Sequence, residues 1–266
     1  MPVHDFNAQR LFVEAPLTAG ARLACSDGQA NYLLAVLRLE AGDEILLFNG
    51  RDGEWRARIA DAGRRRCELE AVAQVREQQA GPDIDYLFAP LKRSRLDYMV
   101  QKAAEMGAAR LRPVLTRRTI AERLNLSRMR ANAIEAAEQC GLLAVPEVHE
   151  PRKLTAVLED WDRARPLVFC DEAAEVKNPL AALRSALATK TGEEVSDLQG
   201  PTPGATTRPI AVLIGPEGGF DAEERAALHA KPYTVAISLG PRIMRADTAA
   251  VAALALVNAV AGDWRQ

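Results

Sequence analysis

Two short loops between residues 209 and 256 carry the residue types best suited to holding a ligand. The first is Gly215-Pro-Glu-Gly-Gly-Phe220, which follows an apolar run at 210–214. The second is Gly240-Pro-Arg-Ile-Met-Arg245, which follows the run at 234–239. Each loop precedes a helix-like stretch, and a strand, a glycine–proline turn and a helix in repeated succession indicate a parallel sheet. Ligands of such sheets bind beyond the carboxyl ends of the strands, where both loops fall.

The first loop favours a ligand that is not a phosphate. Gly215, Gly218 and Gly219 allow backbone amides and carbonyls to approach a ligand closely. The loop has neither the spacing of a dinucleotide site nor the Gly-Lys-Ser/Thr ending of a P-loop. Glu217 disfavours a phosphate, so a cofactor with cationic character, or one held by amide and hydroxyl contacts, fits better. A tight strand-to-helix turn without a ligand is the alternative.

The second loop adds charged groups. Arg242 and Arg245 lie within this loop, and Asp247 lies at the start of the apolar helix that follows. Arginines beside a glycine-lined pocket bind RNA phosphate or stabilise charge that develops on a substrate base. The alternative is that Arg245 and Asp247 pair only to cap the helix.

Composition excludes several classes of protein. The 266 residues are 48% hydrophobic and 26% charged, as in soluble globular proteins. The sequence lacks an apolar run of about 18 residues, which argues against a membrane span. Four scattered cysteines and three histidines lack metal-ligand spacing. Because the first ten residues also lack the apolar core of a signal peptide, we expect a cytoplasmic protein without a metal.

Positive charge is concentrated in one block. Residues 84–134 hold 11 Lys/Arg against 4 Asp/Glu, in a chain whose net charge is -2. Such a block suggests a surface for a polyanion, and a solvated helix face is the alternative.

The periodicity predicts two domains. Residues 1–76 read as short alternating strands with polar turns and a short helix at 29–39, which suggests a small β-barrel. Residues 77–83 read as a linker, and 84–266 alternate between helix and strand, as in an α/β domain with a mainly parallel sheet. Apolar spacing at 95–106 predicts a helix that ends at Gly107, and Asp221 with Glu224 has the spacing of a capping box. Residues 189–208 have few apolar residues and many turn formers, so we expect a surface insertion without a catalytic role. In the first domain Arg38 and Arg51 lie near turns and are candidates for RNA contact, unless the arginines there only keep the barrel soluble.

The paired loops resemble the signature of a known family. Leu213-Ile-Gly-Pro-Glu-Gly-Gly-Phe220 with Ser238-Leu-Gly-Pro-Arg-Ile-Met-Arg245 is similar to the pair found in SPOUT methyltransferases that methylate N3 of a uridine in small-subunit ribosomal RNA. The resemblance covers nearly the whole chain except 189–208. Further matching blocks are Val36-Leu-Arg38, Phe48-Asn-Gly50, Lys92, Gln101-Lys-Ala-Ala-Glu-Met-Gly107, Arg117-Arg-Thr119, Glu138-Gln-Cys-Gly141 and Val145-Pro-Glu147.

The resemblance implies an architecture and a reaction. The first domain would be a PUA-like RNA-binding barrel, and the second would contain a deep trefoil knot, a rare exception among folds. The enzyme would be a homodimer that binds S-adenosylmethionine in the knot and methylates 16S ribosomal RNA in the small subunit. The residues implied in cofactor binding are Leu213, Ile214, Gly215, Pro216, Glu217, Gly218, Gly219, Ser238, Leu239, Gly240, Ile243 and Met244.

Roles for the charged residues follow as expectations. Arg245 or Arg242 would stabilise the uridine anion, and Asp247 would act as a general base or orient Arg245. The candidates for RNA binding are Arg38, Arg51, Lys92, Arg93, Arg95, Lys102, Arg117 and Arg118.

Three positions depart from the family pattern. Asp247 stands where the family often has Glu, Leu142 where it often has Arg, and Asn31-Tyr32 where a histidine is expected. Alternative functions therefore stay open: a SPOUT enzyme that acts on another RNA or on a ribose oxygen, and a catalytically silent RNA-binding module. A nucleotide-dependent oxidoreductase fits least, because the loop spacing is wrong for a dinucleotide.

Overall fold

The structure is a computed structural model that describes residues 8–63, 66–120, 123–174, 178–188 and 208–265. The chain forms two compact units. The first comprises Met1–Ala80 with Ala137–Val145, and the second comprises Gly81–Ala136 with Pro146–Gln266. The insertion predicted at 189–208 lies outside the described residues except for Arg208.

The first unit is built on a mainly antiparallel sheet. Its strands are β1 (Arg10–Phe12), β2 (Arg22–Ala24), β3 (Glu44–Phe48), β4 (Glu54–Ala62) and β5 (Cys67–Arg76). In the described residues they pair in the order β1-β3-β4-β5-β2, with β1 parallel to β3 and the other pairs antiparallel. Alternating residues of the longer strands, among them Ile45, Leu47, Ile59 and Leu69, are buried and form the core of the sheet.

A helix predicted at residues 29–39 is shorter and less regular than expected. Helix α1 (Asp27–Ala30) is followed by a π-helix at Asn31–Val36. Ser26 begins α1 with a capping box, in which its hydroxyl accepts from the Gln29 amide. Arg38 then has a φ of 58°, in the left-handed region that non-glycine residues seldom occupy.

The segment Ala137–Val145 belongs to the first unit, although the sequence placed it in the range 84–266. Ala137 and Leu143 are buried against Phe48, and the Glu138 carboxylate accepts from the Phe12 amide at 2.8 Å. Apolar contacts and a hydrogen bond with residues far away in sequence therefore place this segment in the first unit, although its neighbours in the chain belong to the second.

The second unit alternates helix and strand. In chain order its elements are β6 (Ile84–Phe88), α2 (Arg93–Glu105), β7 (Ala108–Leu115), α3 (Leu126–Cys140), β8 (Glu147–Val148), β9 (Arg152–Lys153), α4 (Leu154–Glu159), β10 (Leu167–Cys170), α5 (Pro179–Ala188), β11 (Ile210–Ile214), α6 (Ala222–His229), β12 (Thr234–Ile237), α7 (Ala246–Val260) and a 3-10 turn (Asp263–Arg265). The last residues of α3, from Ala137 to Cys140, belong to the first unit.

The predicted parallel sheet is confirmed. In the described residues the strands pair in the order β12-β10-β11-β6-β7-β8, all parallel, with β9 paired to β7. Every residue of β6 and β11 is buried, as expected for central strands covered by helices on both faces. The trefoil knot stays a prediction of the family resemblance. No helix in the described segments combines the length and apolar character that crossing a membrane needs.

Local signals explain the helix boundaries. The buried residues Leu96, Met99, Val100 and Ala103 give α2 one apolar face at the predicted spacing. The helix ends before Gly107, which has a φ of 77°. A residue with a side chain would be strained in this backbone conformation.

The buried ion pairs of Glu54 provide a test of what stabilises the first unit. Glu54 is 3% exposed and accepts from Arg10 at 3.0 Å and from Arg76 at 2.7 Å. We expect Glu54→Gln to lower the free energy of unfolding by about 3 to 5 kcal/mol, because two arginines lose their buried carboxylate. Denaturant unfolding followed by circular dichroism measures the change.

The exposed pair of Glu44 with Arg56, 3.8 Å apart on the neighbouring strands, is the matched control. Glu44→Gln should change the unfolding free energy by less than about 1 kcal/mol. Equal effects of the two substitutions would contradict this account.

Candidate functional site

The site is defined by the edge of the sheet at which the parallel strands end. Because β10, β11 and β12 run in the same direction, the loops that follow them leave at one edge. Leu167 of β10 is in register with both Ala211 of β11 and Thr234 of β12. β10 therefore lies between β11 and β12, the two strands that precede the glycine–proline loops. The loop after β10 is the third loop of the site.

The first loop is a compact turn that depends on its glycines. A Cβ on Gly215 would lie 2.5 Å from the Phe220 ring, and Phe220 packs edge-on against Phe169 at 5.1 Å. Gly219 has a φ of 68°, and its amide donates to the Pro216 carbonyl at 2.8 Å. Gly218 is exposed, so its backbone is accessible to a ligand.

The helix after this loop begins as predicted. Asp221 accepts from the Glu224 amide at 2.7 Å, and the Glu224 carboxylate accepts from the Asp221 amide at 3.2 Å. This capping box confirms the spacing inferred from the sequence. Glu224 also accepts from the Arg117 amide at 2.8 Å, which ties the loop after β7 to the start of α6.

The side chains of Leu213 and Ile214 are not available to a ligand. Both lie in β11 and are 0% and 3% exposed. The Ile214 carbonyl accepts from the Ala89 amide at 3.0 Å. In the first candidate stretch, Leu213 and Ile214 can therefore offer a cofactor only backbone atoms, and the exposed residues are Glu217 and Gly218.

The second loop is open to solvent. Gly240 has a φ of 105°, and its amide reaches the Ser238 hydroxyl at 3.4 Å. Ile243 is 99% exposed, and Leu239 and Met244 are half-buried.

The arginines of this loop are its charged groups. Arg242 and Arg245 are exposed, and neither guanidinium makes an ion pair within the described part of the chain. Arg245 is the N-cap residue of α7, where its side chain makes no capping hydrogen bond.

The carboxylate at the start of α7 pairs with an arginine that the sequence assigned to RNA. Asp247 accepts from Arg95 Nε at 2.9 Å and from Arg95 Nη2 at 3.1 Å. Arg95 Nη1 also pairs with Glu217 of the first loop. The interpretation in which Asp247 pairs with Arg245 is therefore wrong, because Arg95 takes both carboxylate oxygens.

Arg95 also sets the protonation state of Asp247. Its hydrogen bonds hold the pKa of Asp247 below the ordinary value of 3.8, so the carboxylate is ionised at neutral pH. Since the pKa is lowered in the folded state, the resulting stability is present above pH ~4 and is lost as the pH falls through the folded pKa. A carboxylate with a lowered pKa is a poor proton acceptor, so Asp247 is better suited to orientation than to general base catalysis.

The loop after β10 was not predicted from the sequence to be part of the site. Glu172 Oε1 lies 2.9 Å from the position of a Cβ on Gly219, so this carboxylate faces the first loop. The carboxylate of the preceding Asp171 is 4% exposed, accepts from Arg225 at 2.8 Å and also contacts His229 Nε2 at 2.9 Å. The apolar run at 167–170 was the available signal, but the place of this strand between the other two is a property of the sheet.

Much of the predicted basic block is paired inside the second unit. Arg112 contacts Asp85, which is 2% exposed, at 2.7 Å, and Arg110 also pairs with this carboxylate. Arg128 pairs with Asp97 at 2.7 Å. The surplus of positive charge counted in the sequence is therefore not a surplus of free cations.

The RNA candidates of this block differ in their contacts. Arg117 pairs with Asp221 at 2.9 Å, Arg118 donates to the Gly218 carbonyl at 2.6 Å, and Lys102 contacts Glu105 at 2.7 Å. Lys92 and Arg93 are exposed at the start of α2, with no ion pair to any described residue.

In the first unit, the two RNA candidates are both exposed. Arg51 donates to the Glu14 carbonyl at 2.8 Å and lies 3.6 Å from Asp52. Arg38 makes no hydrogen bond or ion pair with a described residue, and it projects from the strained backbone after the π-helix.

No group of His, Cys, Asp and Glu side chains in the described segments is arranged to hold a metal ion. The charged side chains at the two loops and the loop after β10 include Arg95, Glu172, Glu217, Arg242, Arg245 and Asp247.

Two glycines test whether the first loop holds the cofactor. Gly219→Ala should weaken binding of S-adenosylmethionine about tenfold, since a left-handed backbone costs a side chain roughly 1 to 2 kcal/mol and the new Cβ meets Glu172. Gly28→Ala in α1 is the control, because its Cβ meets no atom within 4 Å and its φ is not positive. Calorimetric titration of both variants measures the difference, and a Gly219→Ala variant that binds as tightly as the unchanged protein would remove this loop from the cofactor site.

Comparison with protein families assigns both parts of the chain. Residues 78–258 match the model of an RNA methyltransferase domain. Residues 17–72 match the model of an RNA methyltransferase PUA domain.

Relatives extend the similarity over nearly the full length. A protein of Rickettsia conorii named ribosomal RNA small subunit methyltransferase E is 28% identical, over 94% of this chain and 94% of the relative. A Synechocystis protein of the same name is 31% identical, over 95% of this chain and 78% of the relative.

Solved structures share the fold. A Legionella pneumophila methyltransferase, solved in complex with the cofactor SAM, has a TM-score of 0.77 at 25% identity and covers 97% of this chain and 99% of its own. The ribosomal RNA small subunit methyltransferase E of Neisseria gonorrhoeae has a TM-score of 0.75 at 24% identity and covers 97% of this chain and 100% of its own. Since the family model spans more than half of the chain, the protein belongs to the RNA methyltransferase family defined by this domain.

Proposed function

We propose that the protein transfers a methyl group from S-adenosylmethionine to N3 of a uridine in 16S ribosomal RNA of the small subunit. The observation that carries this proposal is the pair of glycine–proline loops at one sheet edge, with the exposed cations Arg242 and Arg245 on the second loop. The family membership and the shared name of relatives that match 94% of the chain or more support the substrate class.

The residues of the loops fit this cofactor. The accessible backbone at Gly218 and Gly240 can contact the cofactor closely, and the Legionella protein with the same fold was solved with SAM. When bound, S-adenosylmethionine supplies an electrophilic methyl group. The residues that would hold it are Gly215, Pro216, Glu217, Gly218, Gly219, Ser238, Leu239, Gly240, Ile243 and Met244, with backbone contributions from Leu213 and Ile214.

The loop after β10 adds a carboxylate to this set. Glu172 is exposed beside Gly219. From this position it would accept hydrogen bonds from hydroxyl or ammonium groups of the cofactor. These are the groups that an ionised carboxylate recognises best.

The chain's contribution to the reaction is electrostatic and geometric. Uridine N3 must give up its proton, which passes to solvent water, before N3 can attack a methyl carbon. The resulting negative charge spreads over the ring oxygens. Arg245, supported by Arg242, stabilises this charge, which is larger in the transition state than in the neutral base. Asp247 keeps its position through Arg95 and does not take the proton, because its pKa is lowered.

Binding of the ribosomal RNA falls to the PUA domain and to basic residues of the second unit. Arg38 and Arg51 contact phosphates from the first unit, and Lys92 and Arg93 from the second. Arg117, Arg118 and Lys102 contribute less, because part of their hydrogen-bonding capacity is used within the chain.

Assembly and location follow from the same proposal. The working form is a homodimer with the site near the interface, and the SPOUT domain contains the trefoil knot. The exposed Ile243, beside the catalytic arginines, is consistent with an interface there. An enzyme that modifies ribosomal subunits acts in the cytoplasm.

Methyl transfer is the direct test of the reaction. Small subunits that lack the modification are incubated with labelled S-adenosylmethionine, and the digested nucleosides are analysed by mass spectrometry. We expect 3-methyluridine. A 2′-O-methyl product would assign a different SPOUT activity, and cofactor binding without any product would favour another substrate.

Arg245 is tested in the same assay. Arg245→Ala should lower kcat by about 100-fold or more, because one donor to the developing oxyanion is lost. Cofactor affinity, measured by calorimetry, should change less than about threefold. Equal losses in both measurements would show that Arg245 holds the cofactor instead.

Arg38 separates RNA binding from folding. Arg38→Gly removes the guanidinium at a backbone conformation that glycine adopts freely, so the thermal midpoint should not fall. We expect weaker binding to ribosomal RNA and a shallower salt dependence of the affinity, as for a lost phosphate contact. Unchanged RNA affinity at low salt would exclude Arg38 from the interface.

A further inference from the structure

One guanidinium joins the two glycine–proline loops. Arg95 lies in the first turn of α2, directly after the loop that follows β6. Its Nε and Nη2 hold both oxygens of Asp247, and its Nη1 pairs with Glu217. The planar fork of an arginine suits such a two-oxygen contact and fixes the direction of its partner.

The two carboxylates belong to two different parts of the site, the first loop and the start of α7. Glu217 is in the middle of the first loop, between Pro216 and Gly218. Asp247 is the second residue of α7, two residues after Arg245. Because a helix is rigid, an anchor on Asp247 also places the backbone of Arg245.

The backbones at both ends of the contact are held by the core. Leu96 and Met99 anchor α2 at 7% and 1% exposure, and Ala246 and Ala250 anchor α7 at 7% and 2%. The distance between the two helices is therefore set by packing, and the side chains at 95 and 247 must match it in length. The short carboxylate of Asp247 is reached by the long side chain of Arg95.

The contacts of Arg95 argue against a role in RNA binding. Its side chain is 25% exposed, and its three guanidinium nitrogens all pair with carboxylates of the chain. The guanidinium therefore has little hydrogen-bonding capacity left for a phosphate.

We propose that Arg95 is a positioning residue for methyl transfer, which holds the first loop at a set distance from Arg245. This inference rests on the proposed function, since it assigns the cofactor to the first loop and the catalytic charge to Arg245. Arg95 thus fixes the methyl donor relative to the group that stabilises the reacting base.

Length compensation provides the test. Arg95→Lys loses the fork and shortens the side chain, and Asp247→Glu lengthens the carboxylate by one methylene. Each should lower kcat by about 10- to 100-fold, the effect of a small misplacement of reacting groups. The double variant Arg95→Lys/Asp247→Glu restores the combined length, so its kcat should exceed the value expected from multiplying the two losses.

A second arginine that pairs with α2 supplies the control. Arg128 of α3 makes a similar two-oxygen contact with Asp97 of α2, at 2.9 and 2.7 Å. Arg128→Lys should keep kcat, and both lysine variants should keep the thermal midpoint within a few degrees. The KM for small subunits should stay within about twofold for Arg95→Lys, because positioning acts on the chemical step.

The outcomes separate this inference from the proposed function. A wild-type protein that forms no 3-methyluridine overturns the function. In that case calorimetry with S-adenosylmethionine decides the inference, since Arg95→Ala should bind it at least fivefold more weakly while Arg128→Ala binds it normally. An active wild type with an unchanged kcat in Arg95→Lys overturns the positioning role, and a raised KM for subunits with steep salt dependence assigns Arg95 to RNA instead.

Discussion

The parallel pairing of β10 with β11 on one side and β12 on the other is the constraint on which the site depends. In a parallel sheet, backbone hydrogen bonds set both the direction and the register of neighbouring strands. Leu167 is aligned with a residue of each neighbour, so the loops after the three strands emerge at one edge. Without this pairing the two glycine–proline loops would be separate turns with no common ligand.

Packing behind the loops makes that edge rigid. Leu213 and Phe169 are fully buried in the sheet, and Phe220 folds back onto Phe169 from the end of the first loop. Asp171, at the end of β10, is 4% exposed and holds Arg225 of α6. A cofactor would therefore meet a surface whose shape is already set, which lowers the entropic cost of binding.

Electrostatics divides the charged residues into two groups. Arginines on the strands, such as Arg110 and Arg112, neutralise buried carboxylates and stabilise the second unit. Arg242 and Arg245 are exposed on the second loop, with no carboxylate partner in the described chain. Few exposed cations therefore remain for a polyanion in the described chain, and the abundance of basic residues in 84–134 mostly reflects internal pairing.

The sequence by itself determined the features that depend on local interactions. Apolar periodicity located β11, α2 and α7, glycine marked the end of α2, and the spacing of Asp221 and Glu224 predicted a capping box. The paired loops and their family resemblance were also readable, because each is a contiguous motif.

Only the tertiary structure decided which distant residues meet. Arg95 and Asp247 are 152 residues apart, and no local signal distinguishes an arginine that pairs with a carboxylate from one that binds RNA. The place of β10 between β11 and β12 is likewise a property of the sheet, as is the packing of Ala137–Val145 in the first unit. These contacts depend on how strands and helices pack in three dimensions, so they could not be predicted from residue type and spacing along the chain.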